Sequence, residues 1–533
     1  MDKISELPQD ILQRILYWLS QEDAVRTSVL SKSWRNIWCT RHNLHFSDAA
    51  FKGDMHQFLS IVNTTLQLYR DQGLCVDEFH VCMSVFSFDC ASVSLVEEWV
   101  RTLTSMCVKK FCLCNLPKLP SVELPSVVFG AESLQDLHLE GFVLDRKAIE
   151  RIVPLKNLTS LILQRVSIEE GIFEKIISCC PFIEILDIRV CTMLRKIIVK
   201  NLHNLKYFSF SDDVDHSHSF EEELCMVEIH TPSPETIYIS EGNVWFHKGP
   251  DFFRNLKHLR LCLVKSSLEH LWSCKFPSLD SLILANCDGL KGIEVFIDAP
   301  NVTYFGYHGD FIPSISFSNT TSREWISDID LTYDLSGDAS WFIKLHELLK
   351  SLSQSEISLY FNCYYLYAEI RENINLEPAS VVVETLQFSC LPSSMISCLL
   401  NGVFSICRPR NIEEDPYGDK WERKRMERLW KILTERNITE EGRCSRGLWF
   451  QDLEEVRMEI YDDNRKEWSP TTLSELPTYN DHNRKERQEM SLMELPDYRE
   501  YNPNDQWHPI CLSRLRNENR RESIRFALKW IQD

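Results

Sequence analysis

Glycine is scarce in this sequence, at 16 of 533 residues, and what the chain lacks narrows its chemistry before any motif is met. It has no Gly-rich phosphate loop, no Gly-x-Ser-x-Gly elbow and no His-Glu-x-x-His pair, so nucleotide-binding, serine-hydrolase and zinc-peptidase chemistry find no foothold. No apolar stretch approaches about eighteen residues, and no basic segment leads into an apolar core at the N-terminus. Membrane insertion and secretion are therefore set aside, and a cytoplasmic and/or nuclear protein is expected. No long basic run interrupts a formal net charge of −20, which argues against nucleic acid or an anionic membrane as the main partner. The 20 cysteines include no Cys-x-x-Cys pair and are scattered through apolar runs such as Ile176-Ile177-Ser178-Cys179-Cys180, so they read as reduced core residues. Cys112 and Cys114 have no matching second half, and Cys39, His42 and His45 recur at intervals of three with no fourth ligand nearby. No metal and no cofactor are assigned. Thiol-based transfer chemistry would need an activated cysteine. Cys407, just before Arg408 and Arg410, is the one mild candidate, and it reads as a helix-end cysteine beside solvated arginines. No catalytic residue is expected.

What is present is an ordinary globular composition, 44% hydrophobic and 26% charged, in a chain long enough for several domains or for one large solenoid with a cap. The first forty-odd residues are apolar beyond what so small a unit can bury. Pro8 suits the first turn of a helix, and Ile11, Leu12, Ile15, Leu16 and Leu19 follow at helical spacing. Ser20 with Asp23 marks a capped restart running to about Leu30, and Leu30, Trp34, Ile37 and Trp38 form the stripe of a third helix. A unit of this size buries only ~60% of its unfolded surface, so its surplus apolar residues point to a partner.

The order of these residues resembles the F-box, and especially its plant form. Leu7-Pro8 is followed by Asp10-Ile11-Leu12-Gln13-Arg14-Ile15-Leu16, then by Asp23-Ala24-Val25-Arg26-Thr27-Ser28-Val29-Leu30-Ser31-Lys32, and then by Trp34-Arg35. The resemblance implies docking onto a Skp-family adaptor and, through it, onto cullin and RING subunits of a ubiquitin ligase. Leu7, Pro8, Ile11, Ile15, Leu16, Val29 and Trp34 match the positions that contact the adaptor or support the contact.

The dominant signal downstream is repetition. The pattern apolar-x-x-apolar-x-apolar recurs at Leu134/Leu137/Leu139, Leu158/Leu161/Leu163, Ile183/Leu186/Ile188 and Leu205/Phe208/Phe210. It returns at Leu256/Leu259/Leu261, Leu279/Leu282/Leu284 and Val302/Phe305/Tyr307, with a degenerate copy at Pro234/Ile237/Ile239. Half-period copies at Leu194/Ile197/Val199 and Leu290/Ile293/Val295 predict short strands on an opposite wall, and Glu169 to Ser178 predicts a helical return. Cys191 and Cys287 fall three residues after the last apolar position of their repeats, where a thiol can satisfy backbone groups at a turn. The pattern resembles leucine-rich repeats, as found in plant F-box proteins. The expected fold is α/β: a three-helix F-box over 1–48, then a curved leucine-rich-repeat solenoid with a parallel sheet over 75–410, its first repeat irregular. From residue 411 the repeat vanishes and charge rises to 27 acidic and 22 basic residues. That stretch is expected to be a charged C-terminal segment, divergent FBD-like or partly disordered.

The expected function is a substrate-recognition subunit with no chemistry of its own, supplying proximity. Residues flanking the central leucines face outward, and His138, Gln164, Arg189, Tyr207, His258, Arg260, Tyr304 and His308 are the expected contacts to an unidentified protein substrate. An adaptor-binding scaffold and a small-ligand receptor of the same architecture are the alternatives.

Overall fold

The computed structural model describes residues 40–51, 55–83, 90–116, 122–212, 224–232, 234–246, 253–318, 325–332, 339–362, 381–389, 396–414, 423–435, 448–462, 465–475 and 524–531, and, nearer the N-terminus, 7–17, 19, 26–27, 34 and 37. Two compact units are present, Met1–His247 and Lys248–Asp533, and the strands of each are described separately.

The first unit begins with the helix Gln9–Tyr17. The Pro8 carbonyl accepts the backbone N–H groups of Ile11 and Leu12 at 3.1 Å each, which starts the helix where proline costs no bond. Leu12 and Leu16 turn inward onto Trp34 and Ile37, with Ile15 and Leu19 packed against that cluster. The expected second helix, Val29 included, lies largely outside the described residues.

Eight parallel strands follow: Asn43–Ser47, Glu78–Met83, Lys110–Asn115, Asp136–Glu140, Ser160–Gln164, Ile185–Arg189, Tyr207–Ser211 and Thr236–Ser240, each paired with the next. Strands of the repeats therefore sit where the apolar pattern predicts them. The sheet starts at Asn43, however, inside the range expected for the F-box and well before residue 75. The long return Met55–Asp71, which buries Phe58, Val62 and Leu66, hid this start; the next return, Cys90–Ser105, buries Val96, Trp99 and Leu103, the face that helical spacing over Val93 to Ser105 predicts ahead of the strand Lys110–Asn115. A helical return lengthens the repeat and breaks the regular period.

The second wall also forms. Lys196–Val199 pairs with Met226–Ile229, which pairs with Asn243–Phe246. In the second unit Glu294–Ile297 pairs with Ser314–Phe317, with Val295 and Ile297 rather than Ile293 and Val295 as its buried alternation. The helical return is Glu170–Cys179.

One turn device recurs at the strand ends. The residue after the strand takes a left-handed conformation at Gly141, Arg165, Val190, Leu263 and Asn286, and its N–H donates to a carbonyl at the end of the next strand, the last one in Arg165 to Arg189 at 2.8 Å and the last but one in Asn286 to His308 at 2.7 Å. Cys191 and Cys287 do what their position predicts. The Cys287 thiol is buried and lies 3.3 Å from the Leu261 carbonyl and 3.4 Å from that of Ala285, and Cys191 repeats the arrangement on Leu163 and Arg189.

The second unit holds the parallel run His258–Cys262, Ser281–Ala285, Tyr304–Gly309, Ile326–Thr332, Glu356–Asn362, Val381–Ser389 and Cys407–Glu414. The sheet does not stop near residue 410. Ile524–Trp530 adds antiparallel to Cys407–Glu414, Leu453–Asp462 adds to it, and Glu467–Pro470 closes as a hairpin. The charged C-terminal segment thus supplies three strands and the helix Arg423–Thr434. The helix and the long strand lie where the apolar spacing over Trp421 to Leu433 and Leu453 to Ile460 predicts them, whereas charge count concealed Ile524–Trp530, because alternation, not mean polarity, decides whether a strand buries one face: Ile524, Phe526, Leu528 and Trp530 are all buried.

Candidate functional site

Two surfaces carry the side chains singled out in the sequence. On the N-terminal helix, Leu7, Pro8 and Ile11 are exposed, Ile15 is half-buried, and Leu16 and Trp34 are buried in the internal cluster. The expected docking set therefore divides: Leu7, Pro8 and Ile11 offer surface, whereas Leu16 and Trp34 hold the helix that presents them. Val29 lies outside the described residues. Tyr17, at the helix end, donates from its hydroxyl to Glu78 Oε1 at 2.8 Å, and Lys110 Nζ reaches the same carboxylate at 2.8 Å. This ties the helix to the first repeat strands.

The second surface is the outward side of the sheets, where alternation aligns every other residue into rows about 4.8 Å apart from strand to strand. In the first unit one row runs His45, His80, Cys112, His138, Ile162, Asp187, and its neighbour runs Ser47, Cys82, Cys114, Glu140, Gln164, Arg189. His138, Gln164 and Arg189 therefore adjoin, and Tyr207 lies in the next row with Ile185 and Thr236. Arg189 donates twice to Asp187, at 3.0 and 2.5 Å, and Arg165 engages Glu140. Burial lowers the basicity of His45, His80 and His138, so these rings favour the neutral form. The same desolvation raises Asp136, with Lys110 opposing it.

In the second unit His258 faces Ser281 and Tyr304 along one row, Arg260 leads to Ile283, Gly306 and Asp328 along the next, and His308 faces Asp330. The Tyr304 hydroxyl donates to Asp328 Oδ2 at 3.1 Å, and His308 Nδ1 lies 3.1 Å from Asp330 Oδ2. Arg260, Tyr207 and Tyr304 are buried rather than freely exposed, because long side chains on strands this close cover one another.

Sequence reading missed much of this second face. Asp328, Asp330, Gln387 and Glu413 are all buried on it, with Gln387 Nε2 donating to Glu413 Oε2 at 3.0 Å. The concealed signal is Ser327, which pairs in register with Phe305 and stands where other repeats carry a large apolar residue. Of Cys39, His42 and His45, Cys39 lies outside the described residues; His42 Nδ1 lies 3.2 Å from Asp77 and His45 packs beside His80. Burial pushes the Cys407 thiol up to about 12, against the opposing charge of Arg408, so it is held protonated.

An F-box domain model matches residues 4–46, and a model described as "FBD-associated F-box protein At5g56370, LRR repeats" matches residues 96–241. The chain carries an F-box and FBD-associated leucine-rich repeats. In Arabidopsis thaliana it is similar to F-box/LRR-repeat protein 13, at 28% identity over 250 residues that cover 46% of this chain and 53% of the relative. It is likewise similar to F-box/FBD/LRR-repeat protein At1g78750, at 28% over 254 residues (46% and 54%), and to F-box/LRR-repeat protein 25, at 29% over 199 residues (36% and 70%). The chain thus spans about half the length of the first two. F-box domains generally bind Skp1-type adaptors, and F-box/LRR proteins are in general non-catalytic adaptors that mediate protein interactions.

Proposed function

We propose that this chain is the substrate-recognition subunit of a Skp–cullin–F-box ubiquitin ligase, working in the cytoplasm or nucleus. The F-box holds the Skp adaptor, and through it cullin and RING subunits, while the outward rows of the repeats hold a protein target. The observation that carries the reading is the division of the N-terminal helix: Leu7, Pro8 and Ile11 stay exposed above a closed cluster of Leu12, Leu16, Trp34 and Ile37. Exposed apolar groups on a helix whose own core is already filled serve a partner better than they serve the fold. The repeat face supports a protein ligand through its mixture of imidazole, phenol, guanidinium and buried carboxylate, a composition closer to a protein interface than to a polyanion site. Catalysis belongs to the recruited subunits, and this chain supplies proximity.

Affinity capture with the intact chain beside a Leu7→Ala/Pro8→Ala/Ile11→Ala variant tests the proposal. Adaptor and cullin should disappear from the variant while other partners remain. Recovery of adaptor at native yield by the variant would overturn it.

A further inference from the structure

Two adjacent outward rows of the first unit gather thiols and imidazoles that lie about thirty residues apart in the chain. His80 pairs in register with Cys112 and Cys112 with His138, while Cys82 pairs with Cys114. The alternation that sends Phe79, Val81, Phe111 and Leu113 into the core leaves all five of these side chains on the other face. Cys112 Sγ lies 3.5 Å from Cys114 Sγ and 3.3 Å from His138 Nδ1, and Cys114 Sγ lies 3.8 Å from His80 Nε2. The ligand atoms of His80, Cys112 and Cys114 all fall within 4.8 Å of one another.

These separations have a chemical meaning. Metal–sulfur bonds of about 2.3 Å and metal–nitrogen bonds of about 2.0 Å at tetrahedral angles set neighbouring ligand atoms roughly 3.3 to 3.8 Å apart. Cys112–Cys114 and Cys114–His80 have that spacing, as does Cys112–His138, and His80 lies within 4.8 Å of Cys112. We propose that His80, Cys112 and Cys114 form a binding site for a zinc(II)-type ion, with Cys82 or His138 completing the tetrahedron. Sulfur and imidazole together select zinc over magnesium or calcium, which take oxygen. Glu140 adjoins the group, but Arg165 already engages it. Cys114 is buried and His80, Cys112 and His138 are half-buried, so an ion can enter from solvent and then sit largely shielded. Each thiol that ligates loses its proton to solvent, so uptake releases protons. The ion would clamp Glu78–Met83 to Lys110–Asn115 across the outward face.

The test uses the full-length, reduced, metal-free protein titrated with zinc alone, with bound metal counted after desalting and cobalt(II) as a spectroscopic substitute. One equivalent of zinc, thiolate-to-cobalt charge transfer in the near ultraviolet and a raised melting temperature are expected. Cys112→Ser/Cys114→Ser should lose the bound equivalent and the charge-transfer band. Cys75→Ser/Cys107→Ser, which removes two exposed thiols, should keep both. Should the first double variant fail to fold, His80→Asn serves in its place and should bind at least tenfold more weakly. Cys82→Ser and His138→Asn then identify the fourth ligand. No stoichiometric zinc in the native chain, binding unchanged in the folded Cys112/Cys114 variant, or thiols that only oxidise to a disulfide would each overturn the site.

Discussion

Replacing Leu7 and Ile11 together by alanine should weaken adaptor binding without unfolding the F-box, whereas Leu16→Ala should do the reverse. All three residues lie within ten positions, yet Leu7 and Ile11 are each 39% exposed and Leu16 is 0% exposed. Full burial of a Leu or Ile side chain is worth about 1.5–3 kcal/mol, so the open 39% of each offers a partner about 0.6–1.2 kcal/mol. The pair then supplies about 1.2–2.4 kcal/mol, or roughly a 7- to 50-fold change in Kd. Leu16→Ala instead removes an internal contact of the Leu12–Trp34–Ile37 cluster, at about 2–5 kcal/mol. In so small a unit that is comparable with the whole stability. Calorimetric titration with a Skp-type adaptor measures the first effect, and amide hydrogen exchange over residues 9–17 measures the second. A folded Leu7/Ile11 variant that binds within twofold of native would refute the division. So would a Leu16 variant whose exchange protection is unchanged.

Three further outcomes are expected. Gly141→Ala should cost more than about 2 kcal/mol in a urea melt, since its φ is +76° and an added Cβ would stand 1.8 Å from the Asn115 carbonyl oxygen; an unchanged midpoint would contradict the turn geometry. Stability of the metal-free chain should fall as pH drops below the ordinary imidazole value of about 6.5, because burial holds His45, His80 and His138 below it and the unfolded state then takes up protons that the native state does not; His80→Asn should flatten that slope in melts recorded across the acid range. Removal of the chain from residue 521 onward should destabilise the second unit, because it deletes Ile524–Trp530, the Trp530 Nε1 donation to the Pro409 carbonyl at 2.7 Å and the Arg408 guanidinium stacked 4.8 Å over that ring; a melting temperature equal to that of the intact chain would refute the anchoring.

Local pattern carried much of the architecture. The apolar-x-x-apolar-x-apolar copies placed strands at Asp136–Glu140, Ser160–Gln164, Ile185–Arg189, His258–Cys262 and Ser281–Ala285, because a two-residue alternation fixes which side chains can be buried and a constant period fixes the stacking. The order of residues around Leu7, Pro8 and Ile11 was likewise sufficient to locate the helix Gln9–Tyr17. The same logic failed wherever the period stretched or a core position changed character: at Asn43–Ser47 and Glu78–Met83, separated by a helical return, and at Ile326–Thr332, where Ser327 replaces an apolar residue.

Lateral neighbours were beyond the reach of the sequence. A linear spacing rule sees Cys112 and Cys114 as a lone pair, and it finds nothing between His80 and His138. Parallel register sets the four beside one another, because each strand returns to the same face one repeat later. Burial too was decided only in three dimensions. Leu16 and Ile11 share one helix and one residue class, and only the packing of Trp34 and Ile37 against one side determines which is buried and which stays exposed. Period, alternation and the F-box motif were legible along the chain; which distant side chains meet was not, since that depends on register across strands and not on distance along the chain.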